Sequence, residues 1–333
     1  MKRPALLLAL LLFAIVLLAA APFWGAVQIP CRALWASDVD AGKVDILWKI
    51  RIPRVLMGFL AGAGLALSGM AFQALFRNPL ATPFTLGVAS GASLGASVCI
   101  HQGWTFAWLG LLGVSSVSVC AFGGAMGTVL LVYGLTRARR GFSTATMLLA
   151  GVAVSFSFSS LILFLQYISD FTQTFRMLRW VMGGLDRVVD FGDVLNVVPF
   201  VVSGSLIVLY LTHELNLLCT GEELATSRGV EVARVKKLLF FAASLMVGGV
   251  VAICGPIGFV GLMAPHICRL LIGPDHRYLT PATLLFGGAF LVLCDTVART
   301  VIAPTEMPVG ILTALLGGPF FLWLLMGRRS PAP

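Results

Sequence analysis

Long apolar runs separated by short polar segments fill almost the whole chain. The apolar runs fall near residues 4–24, 54–75, 84–101, 105–135, 144–168, 191–212, 236–254, 257–272, 281–300 and 309–327. An α-helix needs about 20 apolar residues to cross the roughly 30 Å of hydrocarbon in a bilayer. The pattern therefore predicts an all-α polytopic membrane protein of about ten transmembrane helices, built as a single domain over 1–333, with 257–272 as its shortest helix.

The first run and the basic residues predict the orientation of the helices. Lys2 and Arg3 precede an apolar stretch from Pro4 to Val27, which is longer than the ~7–15-residue core of a cleaved signal peptide. We therefore expect a retained helix. With ten spans, most Lys and Arg residues fall on the side that carries the N-terminus, as cytoplasmic loops do. The expected protein is a multi-pass membrane protein with both termini in the cytoplasm.

Composition supports the membrane class and excludes others. The 333 residues are 59% hydrophobic and 11% charged, whereas soluble domains carry about 25% charged residues. The net charge of +9 comes from basic residues at the ends of apolar runs, so membrane lipid, and not nucleic acid, is the expected surrounding. Seven scattered cysteines without a CxxC motif indicate neither a disulfide framework nor a metal site.

Glycines recur at a spacing of four residues inside several apolar runs. In lipid, small residues at this spacing let two helices approach closely. The pattern predicts close helix contacts at three places, namely Gly58 and Gly62; Gly87, Gly91 and Gly95; and Gly123 and Gly127.

A polar stretch, here called the 221–229 segment, separates two late apolar runs. Glu222 and Glu223 in a first turn, Arg228 near the end and the flanking Gly221 and Gly229 are typical of a short capped helix. Two interpretations stay open from the residues alone. The segment is either an ordinary solvated connector or a docking helix for a cytoplasmic partner.

Few polar side chains lie inside the apolar runs. Asp295 and Arg299 are four residues apart, the spacing of a helical ion pair. His266 and Arg269 share one face of a short helix, and a single His with one Arg lacks the ligand count of a metal site, so we expect a structural role. Three serines of the fifth run either line a permeation path or bond to their own backbone; they are Ser155, Ser159 and Ser160.

Several motifs are absent from the sequence. It contains no GxxxxGK[ST] motif, no intramembrane carboxylate before the ninth run and no nucleophile–base constellation. A self-sufficient ion-coupled carrier and a membrane enzyme or scaffold are therefore disfavoured. If the protein drives uphill transport, the energy comes from another subunit.

Three groups of residues resemble one family. The motifs in chain order are Arg51-Ile52-Pro53-Arg54 with Arg77-Asn78-Pro79-Leu80-Ala81; Gly255-Pro256-Ile257-Gly258 with Pro265-His266 and Arg269; and Asp295 with Ala298-Arg299, Glu306 and Pro308-Val309-Gly310. The chain resembles the permease subunits of type II ABC importers, which take up iron–siderophores, haem and cobalamin.

The resemblance implies a non-catalytic transport subunit of the bacterial inner membrane. It would work as a homodimer with the translocation path at the dimer interface. Two ATP-binding subunits would dock on the cytoplasmic side, and a periplasmic binding protein would deliver the cargo. No cofactor is expected on this chain, since ATP and Mg belong to the partner ATPase. Ferric siderophore is the favoured cargo, ahead of haem and cobalamin.

The resemblance also implies roles for single residues of this chain. Arg51 and Arg299 match outward arginines that pair with acidic residues of the binding protein. The 221–229 segment, with Ala225 and Gly229, matches the coupling helix about 220–230, although Arg228 stands where a Leu is usual. Three positions match the cytoplasmic gate, namely Asn78, Thr144 and Leu149.

Overall fold

The computed structural model describes residues 2–25, 27–34, 40–107, 113–138, 144–188 and 190–327. These residues form helices joined by turns, and no β-strand occurs among them. The predicted all-α fold class is confirmed for this part of the chain.

The helices are numbered here in chain order. The first seven are α1 (Lys2–Ala20), α2 (Ala41–Asp45), α3 (Ile52–Phe76), α4 (Val88–Gln102), α5 (Ser116–Ala138), α6 (Thr144–Ile168) and α7 (Phe171–Val181). The others are α8 (Phe191–Tyr210), α9 (Thr212–Thr220), α10 (Glu222–Ser227), α11 (Val232–Cys254), α12 (Val260–Ile272), α13 (His276–Thr300) and α14 (Val309–Gly327). Short 3₁₀ turns at Ala21–Phe23, Cys31–Leu34 and Pro83–Leu86 and a π-helical segment at Ile46–Arg51 join some of them.

Each of the ten predicted apolar runs has a helix in the described structure. Within the described ranges, seven helical segments are long and apolar enough to cross a membrane. Shorter apolar helices are formed by α12 and α14. With 13 residues and a rise of about 1.5 Å per residue, α12 is about 20 Å long and does not span a bilayer alone. The long run at 105–135 becomes a helix from Ser116 onward.

Successive long helices run in opposite directions and give the bundle two ends. The amino-terminal end is defined here as the one where α1, α4 and α6 begin, and the opposite end is where α3, α5 and α8 begin. An ion pair between Arg3 and Asp275 (3.9 Å) ties the amino-terminal end together. Hydrogen bonds between Gly184 and Cys254 and between Gly310 and Gly183 tie the opposite end.

The third helix is the centre of the bundle. It is buried along almost its whole length and packs against α8, α11, α12 and α13. Glycines allow this because a methyl group on Gly62 would lie 2.3 Å from the Gly287 carbonyl oxygen, and one on Gly69 would lie 1.8 Å from the Gly261 carbonyl oxygen. Neighbouring backbones therefore touch without side chains between them.

The glycine prediction is right for α4 and wrong for α5. A methyl group on Gly95 would lie 2.1 Å from the Cys120 carbonyl oxygen, so α4 touches the α5 backbone. On α5 the contact is made by Gly124, since a methyl group added there would lie 2.1 Å from the Gly91 carbonyl oxygen. Nothing lies within 4 Å of a methyl group on Gly123 or Gly127. Spacing alone does not show which side of a helix faces its neighbour.

Candidate functional site

Charged side chains meet in the protein interior near the opposite end of the bundle. Arg54 near the start of α3 faces Asp295 on α13, with Nη2 donating to Oδ1 (2.9 Å) and Nε donating to Oδ2 (3.1 Å). The Arg54 Nη1 donates to Glu306 Oε2 (2.6 Å), and Arg299 Nε lies 3.1 Å from Asp295 Oδ2. These four residues are called the charge cluster below.

Three of the four residues of the charge cluster are almost sealed from solvent, and Glu306 is the exception. Asp295 is 2% exposed and Arg54 is 6% exposed, whereas the Glu306 side chain is 43% exposed. Burying an ion is costly unless it is paired and hydrogen-bonded. Asp295 therefore neutralises two arginines, and the self-contained pair with Arg299 expected from the spacing is one part of a larger network.

Arg51 lies beside the charge cluster on the π-helical segment that leads into α3. Its Nη1 donates to the Pro22 carbonyl oxygen (3.0 Å) and its Nη2 donates to the Val27 carbonyl oxygen. Together with Arg54 and Arg299, it makes three arginines beside two carboxylates. The described residues at this end therefore carry an excess of positive charge.

The docking role expected for Arg51 and Arg299 stays a prediction, and the structure adds how each side chain is held. Arg51 is 6% exposed and Arg299 is 4% exposed, so neither presents a free guanidinium at the surface of this conformation. Arg299 Nη2 donates to Thr296 Oγ1 (3.1 Å) and to the Ala21 carbonyl oxygen (3.4 Å). The sequence could not show this, because the carbonyl groups that hold both arginines come from the turn after α1.

At the amino-terminal end, the 221–229 segment forms the predicted short helix, α10. Gly221 (φ +133°) and Gly229 (φ +83°) flank it in backbone conformations that other residues rarely adopt. Ala225 is fully buried and fixes the helix against the bundle, while Glu223 and Arg228 are exposed.

An ion pair ties α10 to the next long helix. Lys236 near the start of α11 is 5% exposed, and its Nζ donates to Glu222 Oε1 (2.6 Å). On the other face of α10, the apolar side chain of Leu224 is 55% exposed. The helix is therefore held rigidly on one face and presents an apolar residue on the other. Neither the role of Lys236 nor that of Leu224 was expected from the sequence.

Two of the three predicted gate side chains are described, and they lie on different elements. Asn78 Oδ1 accepts a hydrogen bond from the Leu80 backbone N (2.9 Å) in the turn after α3. Leu149 on α6 is 72% exposed. Thr144 begins α6, and its side chain lies outside the described residues. The gate assignment stays a prediction.

The serines of α6 bond within their own helix. Ser155 Oγ donates to the Gly151 carbonyl oxygen (2.8 Å), and Ser160 Oγ donates to the Phe156 carbonyl oxygen (3.0 Å). Both serines therefore bond to the backbone of their own helix, which is one of the two alternatives given above. The exposed face of α6 is then largely apolar, and Phe156 on it is 72% exposed. Ser159 is exposed on the same helix. A path-lining role for the three serines stays a prediction.

His266 and Arg269 lie among packing partners on α12. The His266 ring meets the Phe320 ring edge-on, with centroids 5.9 Å apart. Arg269 Nη2 donates to Gln73 Oε1 (3.0 Å), which links α12 to α3. Within the described ranges, no group of three His, Cys, Asp or Glu residues is arranged to hold a metal ion. The structural role expected for both residues stays a prediction.

Two features define the class of protein. One is a bundle of apolar helices that crosses a membrane several times, and the other is a short capped helix presented at one end. Together with the comparisons that follow, they identify an ABC transporter permease.

Residues 9–327 match the model of the FecCD transport family. The chain is 39% identical over 329 residues to the hemin transport system permease protein HmuU of Yersinia pestis, covering 98% of this chain and 97% of that protein. It is 42% identical over 309 residues to the cobalamin import system permease protein BtuC of Halobacterium salinarum, covering 93% of this chain and 81% of that protein. The chain belongs to the FecCD transport family.

A solved structure supports the same assignment. The fold is similar to that of a metal-chelate type ABC transporter in an inward-facing conformation, with a TM-score of 0.85 and 33% identity. The alignment covers 97% of this chain and 99% of the other. The predicted permease fold is thereby confirmed.

Proposed function

We propose that this chain is the membrane-spanning subunit of an ATP-driven importer that moves a metal chelate into the cytoplasm. The observation that carries the proposal is α10, a capped helix held by the Lys236–Glu222 ion pair with Leu224 presented outward. Such a helix suits contact with a separate ATPase, and members of the FecCD transport family work with ATP-binding subunits and binding proteins. We infer that the protein acts as a homodimer with two ATPases and hydrolyses no ATP itself.

This function fixes the orientation that we propose for the bundle. The amino-terminal end carries α10 and therefore faces the cytoplasm, as the distribution of basic residues predicts. The opposite end, with the charge cluster, then faces the periplasm. The C-terminal residues 328–333 lie outside the described residues, and their cytoplasmic position follows only from the helix count.

A hydrogen-bond bridge connects the proposed ATPase contact to the rest of the bundle. Asn216 on α9 donates from Nδ2 to Asp275 Oδ1 (2.9 Å) and accepts from the His276 backbone N (2.9 Å) at the start of α13. The Asn216 amide holds the pKa of the Asp275 carboxyl below its usual value. Because α13 carries Asp295 and Arg299 at its other end, motion of α9 and α10 would reach the charge cluster through one rigid helix.

The excess positive charge around Arg51 and Arg299 suits docking of acidic side chains from a binding protein at the periplasmic end. Opposite charges across an interface favour association and fix its register. Both arginines would first leave their internal carbonyl partners, so docking and a local rearrangement of this end would occur together. In this proposal the half-exposed Glu306 competes with the incoming acidic group for the positive charge of the arginines.

Three cargo candidates follow from the family. Ferric siderophore stays the first, because the resemblance implies a family that most often transports it. Haem is the second candidate, because a relative that matches almost the whole of both chains is a hemin permease. Cobalamin is the third, because a relative with 42% identity is a cobalamin permease. Competition among the three cargoes for transport by one purified importer would separate these candidates.

Replacing Leu224 by Glu tests the proposed ATPase contact. Burying a Leu side chain contributes about 1.5–3 kcal/mol, so we expect the variant to bind the cognate ATPase at least about tenfold more weakly. The measurement is the dissociation constant of the purified permease and ATPase in detergent. Leu224→Met is the matched control and should keep wild-type affinity. If the Glu variant bound the ATPase with wild-type affinity, α10 would not be the docking element.

A further inference from the structure

A polar cavity of about 470 Å³ lies at the opposite end of the bundle, where several helices end together. It lies between α4, α5, α7, α8 and α11, away from the charge cluster. Its charged lining consists of Arg176, Arg179, Arg187, Asp190 and Asp193. None of these residues belongs to the sites described above.

Two of the three arginines keep unused binding capacity. Arg179 Nη2 is paired with Asp186 Oδ2 (2.7 Å). Arg187 stacks on the Trp180 ring at 5.5 Å and donates from Nη2 to the Arg179 carbonyl oxygen. Its Nη1 is buried and has no hydrogen-bond partner among the described residues. Arg176 is exposed and takes part in no ion pair within the described ranges.

The cavity also carries negative charge. Asp190 caps α8, and its Oδ1 accepts from the backbone N of Gly192 (2.8 Å) and of Asp193 (3.2 Å). The Asp190 side chain is exposed, and Asp193 lies one turn further along the same helix. A simple anion in this cavity would therefore gain the arginines but meet two carboxylates. A ligand that carries both signs of charge would meet the arginines with its anionic group and the exposed Asp190 with its cationic group.

An apolar groove continues from this cavity toward the middle of the membrane. The groove has a volume of about 340 Å³ and shares Ser118 and Ile253 with the polar cavity. It is lined by Phe122 of α5, Pro199 of α8 and Gly249 of α11, among others. At about 1.5 Å per residue, Pro199 lies about 13 Å below Asp190 along α8. The groove therefore enters the depth of the acyl chains.

We propose that the cavity and the groove together bind one glycerophospholipid whose headgroup carries a phosphate and a primary ammonium, as in phosphatidylethanolamine. The phosphate contacts Arg187 and Arg176, and the ammonium lies at Asp190. An acyl chain fills the groove beside Phe122 and Pro199. The proposal uses only the position of these residues in a membrane protein, so it does not depend on the cargo or on the ATPase.

The physical reason is that each part of the lipid contacts residues of complementary chemistry. Arginine forms strong charge-assisted hydrogen bonds to phosphate, and Arg176 and Arg187 both line the cavity. Polar contacts gain strength where the surroundings exclude water. The apolar groove gives the acyl chain a protein surface with few polar atoms.

Native mass spectrometry of the full-length protein tests the proposal. The protein is purified in mild detergent and offered equal amounts of phosphatidylethanolamine, phosphatidylglycerol and phosphatidylcholine. We expect one phosphatidylethanolamine per chain to be retained in preference to the others. Arg187→Gln should reduce its occupancy at least about fivefold. Val119→Trp fills the groove from an exposed position and should have the same effect without touching the headgroup site.

Arg32→Gln is the matched control, because Arg32 is exposed and lies outside the cavity; it should retain lipid as wild type does. Unchanged retention by both Arg187→Gln and Val119→Trp would overturn the site. Equal retention of phosphatidylglycerol would overturn the ammonium contact at Asp190. Unfolding temperatures of the variants, measured alongside, identify any variant that has lost its fold.

Discussion

Replacing Asp295 by Asn is expected to lower the free energy of unfolding by about 3–5 kcal/mol, the cost of breaking a buried ion pair from one side. Asp295 accepts from Arg54 at 2.9 Å and faces Arg299 at 3.1 Å. Without its charge, two buried guanidinium groups would share only Glu306, which is partly exposed. The measurement is urea-induced unfolding of the purified protein in detergent.

Asp45→Asn is the matched control. Asp45 pairs with Lys49 at 2.9 Å, but both side chains are more than half exposed, and exposed pairs contribute about 0–1 kcal/mol. A double variant, Arg54→Met with Asp295→Leu, should recover part of the loss because it removes a charge of each sign. Equal effects of Asp295→Asn and Asp45→Asn would show that the charge cluster does not stabilise the fold.

Gly69→Ala is expected to prevent correct packing of the bundle and to cost about 3 kcal/mol or more, the upper end for overpacked cores. The added methyl group would lie 1.8 Å from the Gly261 carbonyl oxygen and 2.6 Å from the Gly261 Cα. Both atoms belong to helix backbone, so no side-chain rotation relieves the clash. The yield of monodisperse protein and its unfolding free energy measure the effect.

Gly127→Ala is the control for this substitution. Gly127 lies inside α5 with nothing within 4 Å of the new methyl group. Alanine is a better helix former than glycine, so the variant should be as stable as wild type or more stable by about 0.5–1 kcal/mol. Comparable destabilisation by Gly69→Ala and Gly127→Ala would mean that α3 does not contact α12 closely.

Helix positions were predictable because apolar length is a local property of the sequence. Each of the ten runs became a helix, and the Gly- and Pro-interrupted run at 257–272 became the short α12. The capped form of α10 was also predictable, because its glycines and first-turn carboxylates are adjacent in the chain. These features depend on spacing, which the sequence states directly.

Contacts between distant residues were not predictable. Arg54 stands three residues from Arg51 in one motif, yet it faces Asp295 while Arg51 faces the turn after α1. The one available signal was that the intramembrane charges Arg54, Asp295 and Arg299 require mutual neutralisation. Similarly, Gly124 rather than Gly123 touches α4, which depends on the rotation of α5 about its axis.

The most direct test of the central claim is transport in proteoliposomes that contain this subunit with its cognate ATPase and binding protein. We expect uptake of a ferric siderophore, of haem or of cobalamin that requires ATP on the side of the membrane that carries the ATPase and is lost with Leu224→Glu. ATP-independent uptake of the chelate by this chain alone would contradict the account, because the transport would then need neither the ATPase nor α10.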